Sequence, residues 1–122
     1  MFIKRTYKSF NAKIVPWDKI EQHYIIHWNG KHKKLLELVK HIRTSGLQDK
    51  LYGVTSMDKL IISNYTPLDM MQDCLHITFD LRANKWNFEY HSKPFLKPEF
   101  VRTYAEDKGI EKLNQFIEYI KW

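Results

Sequence analysis

The stretch CLHITFDLRANKWNFEYH, residues 74–91, decides the fold of this chain. Apolar and polar side chains alternate on both sides of a short polar segment, which is typical of a β-hairpin. Trp86, Phe88 and Tyr90 occupy alternate positions close to Arg82 and Lys85. The three rings therefore form either an exposed platform for nucleic-acid bases or the buried face of an ordinary hairpin.

The length of the hairpin loop separates these two alternatives, because directly opposed residues in an antiparallel pair share a face. An even loop centred on Ala83–Asn84 places every large apolar side chain on one face, whereas a three-residue loop exposes one apolar row. Burial of each large apolar side chain is worth about 1.5–3 kcal/mol, so the even loop is predicted. The predicted opposite pairs are Leu81 with Trp86, Phe79 with Phe88, and Ile77 with Tyr90. The aromatic row is expected in the core, together with Leu75, Ile77 and Phe79.

The same register gives the other face of the hairpin a polar row. It contains Cys74, His76, Thr78, Asp80, Asn87, Glu89 and His91, with His76 predicted opposite His91 and Thr78 opposite Glu89. Two imidazoles and a carboxylate could bind a metal ion or transfer protons. A small hydrolase or metal-dependent enzyme built on His76, Glu89 and His91 is the least favoured of the functions considered. The compact spacing of known zinc motifs is absent, so an ordinary polar face is predicted, with no metal, cofactor or catalysis.

The remaining elements place this hairpin in an α+β domain that covers residues 1–122. LYGVTS (51–56) and KLIISN (59–64) are predicted strands, joined by a tight turn at Met57–Asp58. TPLDMMQD (66–73) is predicted to form a brief helical turn, with Thr66 as N-cap. The expected architecture is an antiparallel four-stranded meander sheet packed by amphipathic helices. A fifth, edge strand at FIKRTY (2–7) is an open alternative, and PWDKIEQHYIIHW (16–28) fits a helix or a helix followed by a strand.

Two segments show a clear helical period. In KHKKLLELVKHIRTSG (31–46), Asn29 is a predicted N-cap and Gly46 a predicted C-terminal cap. Its apolar stripe is Leu35, Leu38, Val39 and Ile42. The final helix has the stripe Ile110, Leu113, Phe116, Ile117 and Ile120. Gly109 is expected to separate it from a short helix opened by Pro98, KPEFVRTYAED (97–107).

Charge is distributed unevenly along the chain. Residues 1–50 hold eleven Lys/Arg against four Asp/Glu, and residues 51–122 hold nine against ten, which together give the net charge of +6. Such asymmetry indicates a partner with an acidic surface, either a protein or, as the second choice, a nucleic acid. The predicted binding residues are Lys33, Lys34, Lys40 and Arg43. Lysine-rich solvent faces that bind nothing are also common.

The single cysteine, Cys74, rules out an intramolecular disulfide and predicts a reducing compartment. No apolar run approaches the roughly 20 residues of a membrane-spanning helix. A soluble cytoplasmic protein that does not enter a membrane is therefore expected.

The second half of the chain resembles the small immunity proteins encoded beside bacterial polymorphic or contact-dependent toxins. The segments that carry the resemblance are YGVTSMDKLIIS, LHITFD, WNFEYH and IEKLNQFIEYIKW, within residues 51–122. The resemblance implies a protein that occludes a toxin domain and performs no chemistry of its own. Inhibitors of nucleases tend to be acidic, whereas this chain is basic, so a toxin with an acidic surface, or one that is not a nuclease, is implied.

Overall fold

The computed structural model describes residues 15–26, 30–56, 58–64, 73–92 and 97–122. Within these residues, five strands form one antiparallel sheet in chain order: β1 (Tyr52–Ser56), β2 (Lys59–Ser63), β3 (Cys74–Asp80), β4 (Lys85–His91) and β5 (Phe100–Ala105). The helices are α1 (Trp17–Ile26), α2 (Gly30–Thr44) and α3 (Gly109–Ile120), with 3₁₀ turns at Leu47–Asp49 and Glu106–Lys108. The predicted α+β fold with an antiparallel meander sheet is confirmed, and its fifth strand is β5, a segment that was predicted to be helical.

The aromatic row of the central hairpin belongs to the core. Trp86, Phe88 and Tyr90 are only 2%, 1% and 4% exposed. Leu75, Ile77 and Phe79 on β3 are equally buried and pack in the same cluster. The three rings therefore form no platform for stacking bases.

The register of this hairpin differs from the predicted one by two residues, although the even loop is confirmed. The observed pairs are Phe79 with Trp86, Ile77 with Phe88, and Leu75 with Tyr90. Asp80 pairs with Lys85, so the loop consists of residues 81–84. Within it, Asp80 Oδ1 accepts hydrogen bonds from the backbone N–H groups of Arg82 and Ala83 at 2.9 and 3.2 Å, which stabilise the turn. Leu81 consequently lies in the loop, 49% exposed, and not opposite Trp86.

The helix predicted from Pro98 is wrong, since Phe100–Ala105 forms β5 and pairs with β4. Aromatic and β-branched side chains favour a strand, and the pairing with β4 satisfies its backbone. Gly109 does not separate two helices but begins α3. A Cβ atom there would lie 2.5 Å from the Trp86 ring, so glycine permits the close approach of helix and indole.

The helices cover the sheet face that carries the aromatic row. α1 contacts β1, α2 contacts β3, and α3 contacts β5. At the β1 edge, Trp17 packs over Gly53 and donates its indole N–H to the carbonyl oxygen of Leu51 at 2.9 Å. The predicted stripe of α2 is fully buried, and Gly46 follows the helix in a left-handed conformation with φ of 88°.

The stripe of α3 differs from the prediction at its first position. Leu113, Phe116 and Ile117 are buried and Ile120 is half-buried, but Ile110 is 42% exposed.

Several predictions concern segments outside the described residues. They are the edge strand FIKRTY, the N-cap Asn29, the turn at Met57, and the helical turn over residues 66–72 with its N-cap Thr66. Among the described residues, the helices are too short or too polar to cross a bilayer.

Candidate functional site

The four basic residues predicted to bind a partner all lie on α2, but they do not form one patch. Lys33 and Lys40 are exposed, and their spacing of two helical turns places them on one side of the helix. Lys34 Nζ lies 3.4 Å from Glu106 Oε2 and 5.7 Å from the centre of the Phe79 ring. Arg43 Nη1 lies 3.2 Å from Glu21 Oε2 of α1. Lys34 and Arg43 therefore connect elements within the protein.

A groove of about 340 Å³ lies between β5 and α3. Four rings contribute to its wall, namely Phe100, Tyr104, Phe116 and Tyr119, together with Arg102, Lys112 and Gln115. None of these described wall residues carries a negative charge. The groove is therefore both aromatic and positively charged.

The two cations of the groove are held over its rings. The Arg102 guanidinium lies 5.2 Å from the centre of the Phe100 ring, and Lys112 Nζ lies 5.3 Å from that of Tyr104. Lys112 Nζ also donates a hydrogen bond to Gln115 Oε1 at 3.3 Å. These contacts place the positive charges beside the apolar surface of the rings.

Among the described residues, the strand that forms one wall of the groove is an edge of the sheet. Within the described part of the chain β5 has only β4 as a neighbour, and most of its side chains are exposed. An edge strand offers unpaired backbone N–H and C=O groups to another chain. This site was not predicted from the sequence, because Pro98 and the residues after it also fit a short helix. The alternation of Phe100, Arg102 and Tyr104 was the signal that could have revealed it.

The sheet face opposite the helices carries the histidine cluster. His76 lies opposite Glu89, and Cys74 opposite His91, so the predicted pairs of His76 with His91 and Thr78 with Glu89 are wrong by the same two-residue shift. The structure nevertheless brings the two imidazoles together, with ring centres 4.2 Å apart. His91 Nε2 lies 3.4 Å from Glu89 Oε1. One potential ligand atom from each of His76, Glu89 and His91 lies within 4.8 Å of the other two.

His76 is partly buried on this face, next to the buried side chains of Ile61 and Cys74. Burial lowers its pKa from 6.5 to about 4, and the charges of His91 and Lys59 act in the same direction, against Glu89. Its Nδ1 atom is buried and has no hydrogen-bond partner among the described residues. The imidazole is therefore neutral at pH 7 and has a free ring nitrogen.

Cys74 is not an activated nucleophile. Its side chain is buried beside Ile61 in a small second cluster. Burial, followed by the charge of Asp73, raises the thiol pKa to about 11, while Lys59 opposes this shift. The thiol is protonated at neutral pH, whereas nucleophilic attack requires the thiolate.

Comparison of the chain with protein-family models, curated proteins and solved structures finds no match.

Proposed function

We propose that this chain is a cytoplasmic protein-binding module of the immunity type, which neutralises a partner toxin domain by occluding it. The groove between β5 and α3 carries the proposal. Its rings supply apolar contact area, and Arg102 and Lys112 supply positive charge. Aromatic side chains and arginine are the residues that most often dominate the binding energy of protein interfaces. The proposed mechanism is steric and electrostatic, without catalysis.

The proposed partner has an acidic surface that fits this groove. A carboxylate placed between Arg102 and Lys112 would meet two cations and, among the described wall residues, no competing acid. Val101, on the opposite face of β5, is 45% exposed, so its side chain is accessible to a partner that docks at this strand. An extended segment of that partner could add to the sheet edge through backbone hydrogen bonds.

The test partner is a toxin domain encoded next to this chain. Titration calorimetry should show a 1:1 complex, and co-expression should remove the toxicity. Arg102→Glu combined with Lys112→Glu should weaken the complex at least tenfold, because both charges would then repel the partner.

Lys19→Glu is the matched control for these charge reversals. Lys19 is exposed on α1, which contacts the β1 edge, whereas the groove lies at the β5 edge. Its reversal should leave the affinity within about twofold. Equal weakening by the control and the groove variant would contradict the groove as the docking site, and normal toxicity despite co-expression would contradict the immunity function.

Nucleic-acid binding is the second candidate, because cations beside exposed rings also suit stacked bases. Gel-shift experiments with unrelated DNA and RNA at roughly physiological ionic strength separate the two functions. Non-specific binders have dissociation constants of about 10⁻⁴–10⁻⁶ M under these conditions. Retention in that range, lost in the Arg102→Glu/Lys112→Glu variant, would favour nucleic acid. We expect no retention.

A further inference from the structure

Three side chains with metal-binding chemistry lie together on the sheet face opposite the helices. His76 and Glu89 are direct partners in the β3–β4 ladder. His91 follows Glu89 by two residues on the same strand, so its side chain projects from the same face. Paired strands fix the backbone positions of all three, and only side-chain torsions remain to be adjusted when an ion binds.

The distances between the potential ligand atoms suit one small ion. Two ligands about 2.1 Å from a tetrahedral ion lie about 3.4 Å apart. Glu89 Oε1 and His91 Nε2 are already 3.4 Å apart. The ligand atom of His76 is within 4.8 Å of both, so it must approach by at most about 1.4 Å. Rotation of its ring can supply a movement of this size.

Two further observations indicate a site that is already organised: a buried ring nitrogen without a partner and an oriented carboxylate. The buried Nδ1 of His76 lacks a hydrogen-bond partner among the described residues, which is costly unless another group satisfies it. Glu89 Oε2 accepts a hydrogen bond from Asn87 Nδ2 at 3.1 Å, which orients the carboxylate and leaves Oε1 directed at His91. Contacts of this kind hold ligands in place around protein-bound metals.

We propose that His76, Glu89 and His91 bind one divalent transition-metal ion. Two imidazole nitrogens and one carboxylate oxygen suit zinc and its first-row neighbours better than magnesium or calcium, which prefer oxygen ligands. Three protein ligands leave a fourth position for water. The absence of a compact sequence motif, which led to the expectation of no metal, reflects ligands that come from two strands.

The charges around the cluster set a limit on the affinity. Glu89 attracts the cation, and Lys59 of β2, which acts electrostatically on His76, repels it. Lys59→Gln should therefore tighten metal binding. This response is expected only if the ion binds close to Lys59.

The test uses the full chain, freed of metal by a chelator and then titrated with Zn²⁺ against a chromophoric competitor. We expect one ion per chain. Glu89→Gln and His91→Ala should each weaken binding at least tenfold, and Asn87→Ala, which removes only a positioning contact, should weaken it by about tenfold. Co²⁺ should give visible absorption bands in the wild type that are lost in Glu89→Gln.

His41→Ala is the control for non-specific binding by histidine. His41 lies on α2, where its Nε2 is 3.0 Å from Asn114 Oδ1, far along the chain from the cluster. This variant should retain the wild-type affinity. Failure of the folded wild type to bind one Zn²⁺ with a dissociation constant below about 100 μM would overturn the proposal. Unchanged binding in Glu89→Gln and His91→Ala, with circular dichroism confirming that both are folded, would overturn it as well.

Discussion

Trp86 connects three parts of the molecule through one side chain. Its indole N–H donates a hydrogen bond to the carbonyl oxygen of Glu106 at 2.9 Å, just before α3. Its ring meets Phe79 edge-on, with centres 5.1 Å apart, and lies against Gly109 at the start of α3. One residue thus fixes the position of α3 over the sheet, and α3 in turn forms one wall of the groove.

Trp86→Ala should lower the free energy of unfolding by about 3–5 kcal/mol, because it leaves a large cavity in the core. Urea denaturation measures this loss. Tyr119→Ala is the control, since Tyr119 is 73% exposed, and its effect should stay within about 0.5 kcal/mol. A loss below about 1 kcal/mol for Trp86→Ala would contradict its role in joining α3 to the sheet.

His76 should give the metal-free protein a characteristic dependence of stability on pH. Burial lowers its pKa from 6.5 to about 4. Between these values the unfolded chain binds a proton at His76 and the folded protein does not, so the contribution of His76 to stability falls as the pH decreases from about 6.5 towards 4. Above pH 6.5 neither state binds this proton, and the contribution is constant.

The measurement is urea denaturation at several pH values in the presence of a chelator, with His76→Gln for comparison. The variant should lose stability less steeply than the wild type between pH 6.5 and 4. A proton NMR titration of the folded wild type should place the midpoint of the His76 ring below pH 5. A midpoint near 6.5 would show that the imidazole is not desolvated.

At the scale of elements, local pattern predicts the structure well where one face is buried. The apolar stripe of α2 and the alternation in β3 and β4 predicted the correct elements. Burial of large apolar side chains there contributes more free energy than local conformational preferences do. The prediction of a helix over residues 100–105 was wrong, because the apolar residues there fit the period of a helix as well as that of a strand. The interaction that decides between them is pairing with β4, which is not local in the sequence. The sequence also predicted that His76, Glu89 and His91 share one face of the sheet. The distances between their side chains depend on the register of the hairpin, which the loop sets.

The loop over residues 81–84 sets the register of the hairpin. Asp80 Oδ1 accepts two backbone N–H groups, and Asn84 occupies a left-handed conformation with φ of 56°. Asparagine tolerates that conformation better than most residues. The predicted centre at Ala83–Asn84 was wrong because periodicity alone does not reveal which side chain closes the turn.

Asp80→Ala should therefore destabilise the protein by about 1 kcal/mol, because two backbone donors lose their acceptor at an exposed site. Thermal or urea denaturation gives the value. Arg82→Ala is the matched control within the same loop, and it should change stability by less than about 0.5 kcal/mol. Equal effects of the two substitutions would mean that the carboxylate does not stabilise the turn.

At the scale of the whole molecule, the fold separates three surfaces. Helices cover one face of the sheet, the histidine cluster occupies the other, and the groove lies at the β5 edge. Lys33 and Lys40 are exposed on α2, outside the groove. They suit a role in long-range attraction of an acidic partner better than a role in direct contact.

Lys33→Glu with Lys40→Glu should therefore slow association with an acidic partner and leave dissociation nearly unchanged. The double variant lowers the net charge from +6 to +2. Stopped-flow measurements at roughly 0.05 and 0.5 M salt should show the difference from wild type at low salt and its near disappearance at high salt, where the Debye length is only a few Å.

A control with the same net charge distinguishes the α2 surface from charge in general. Lys19→Glu with Lys121→Glu also gives +2 but alters exposed residues on α1 and after α3. If the electrostatic field of Lys33 and Lys40 guides the partner, this control should slow association less than the α2 variant does. Equal slowing by the two variants would show that net charge alone governs the encounter. Faster dissociation of the α2 variant would instead place Lys33 and Lys40 in contact with the partner.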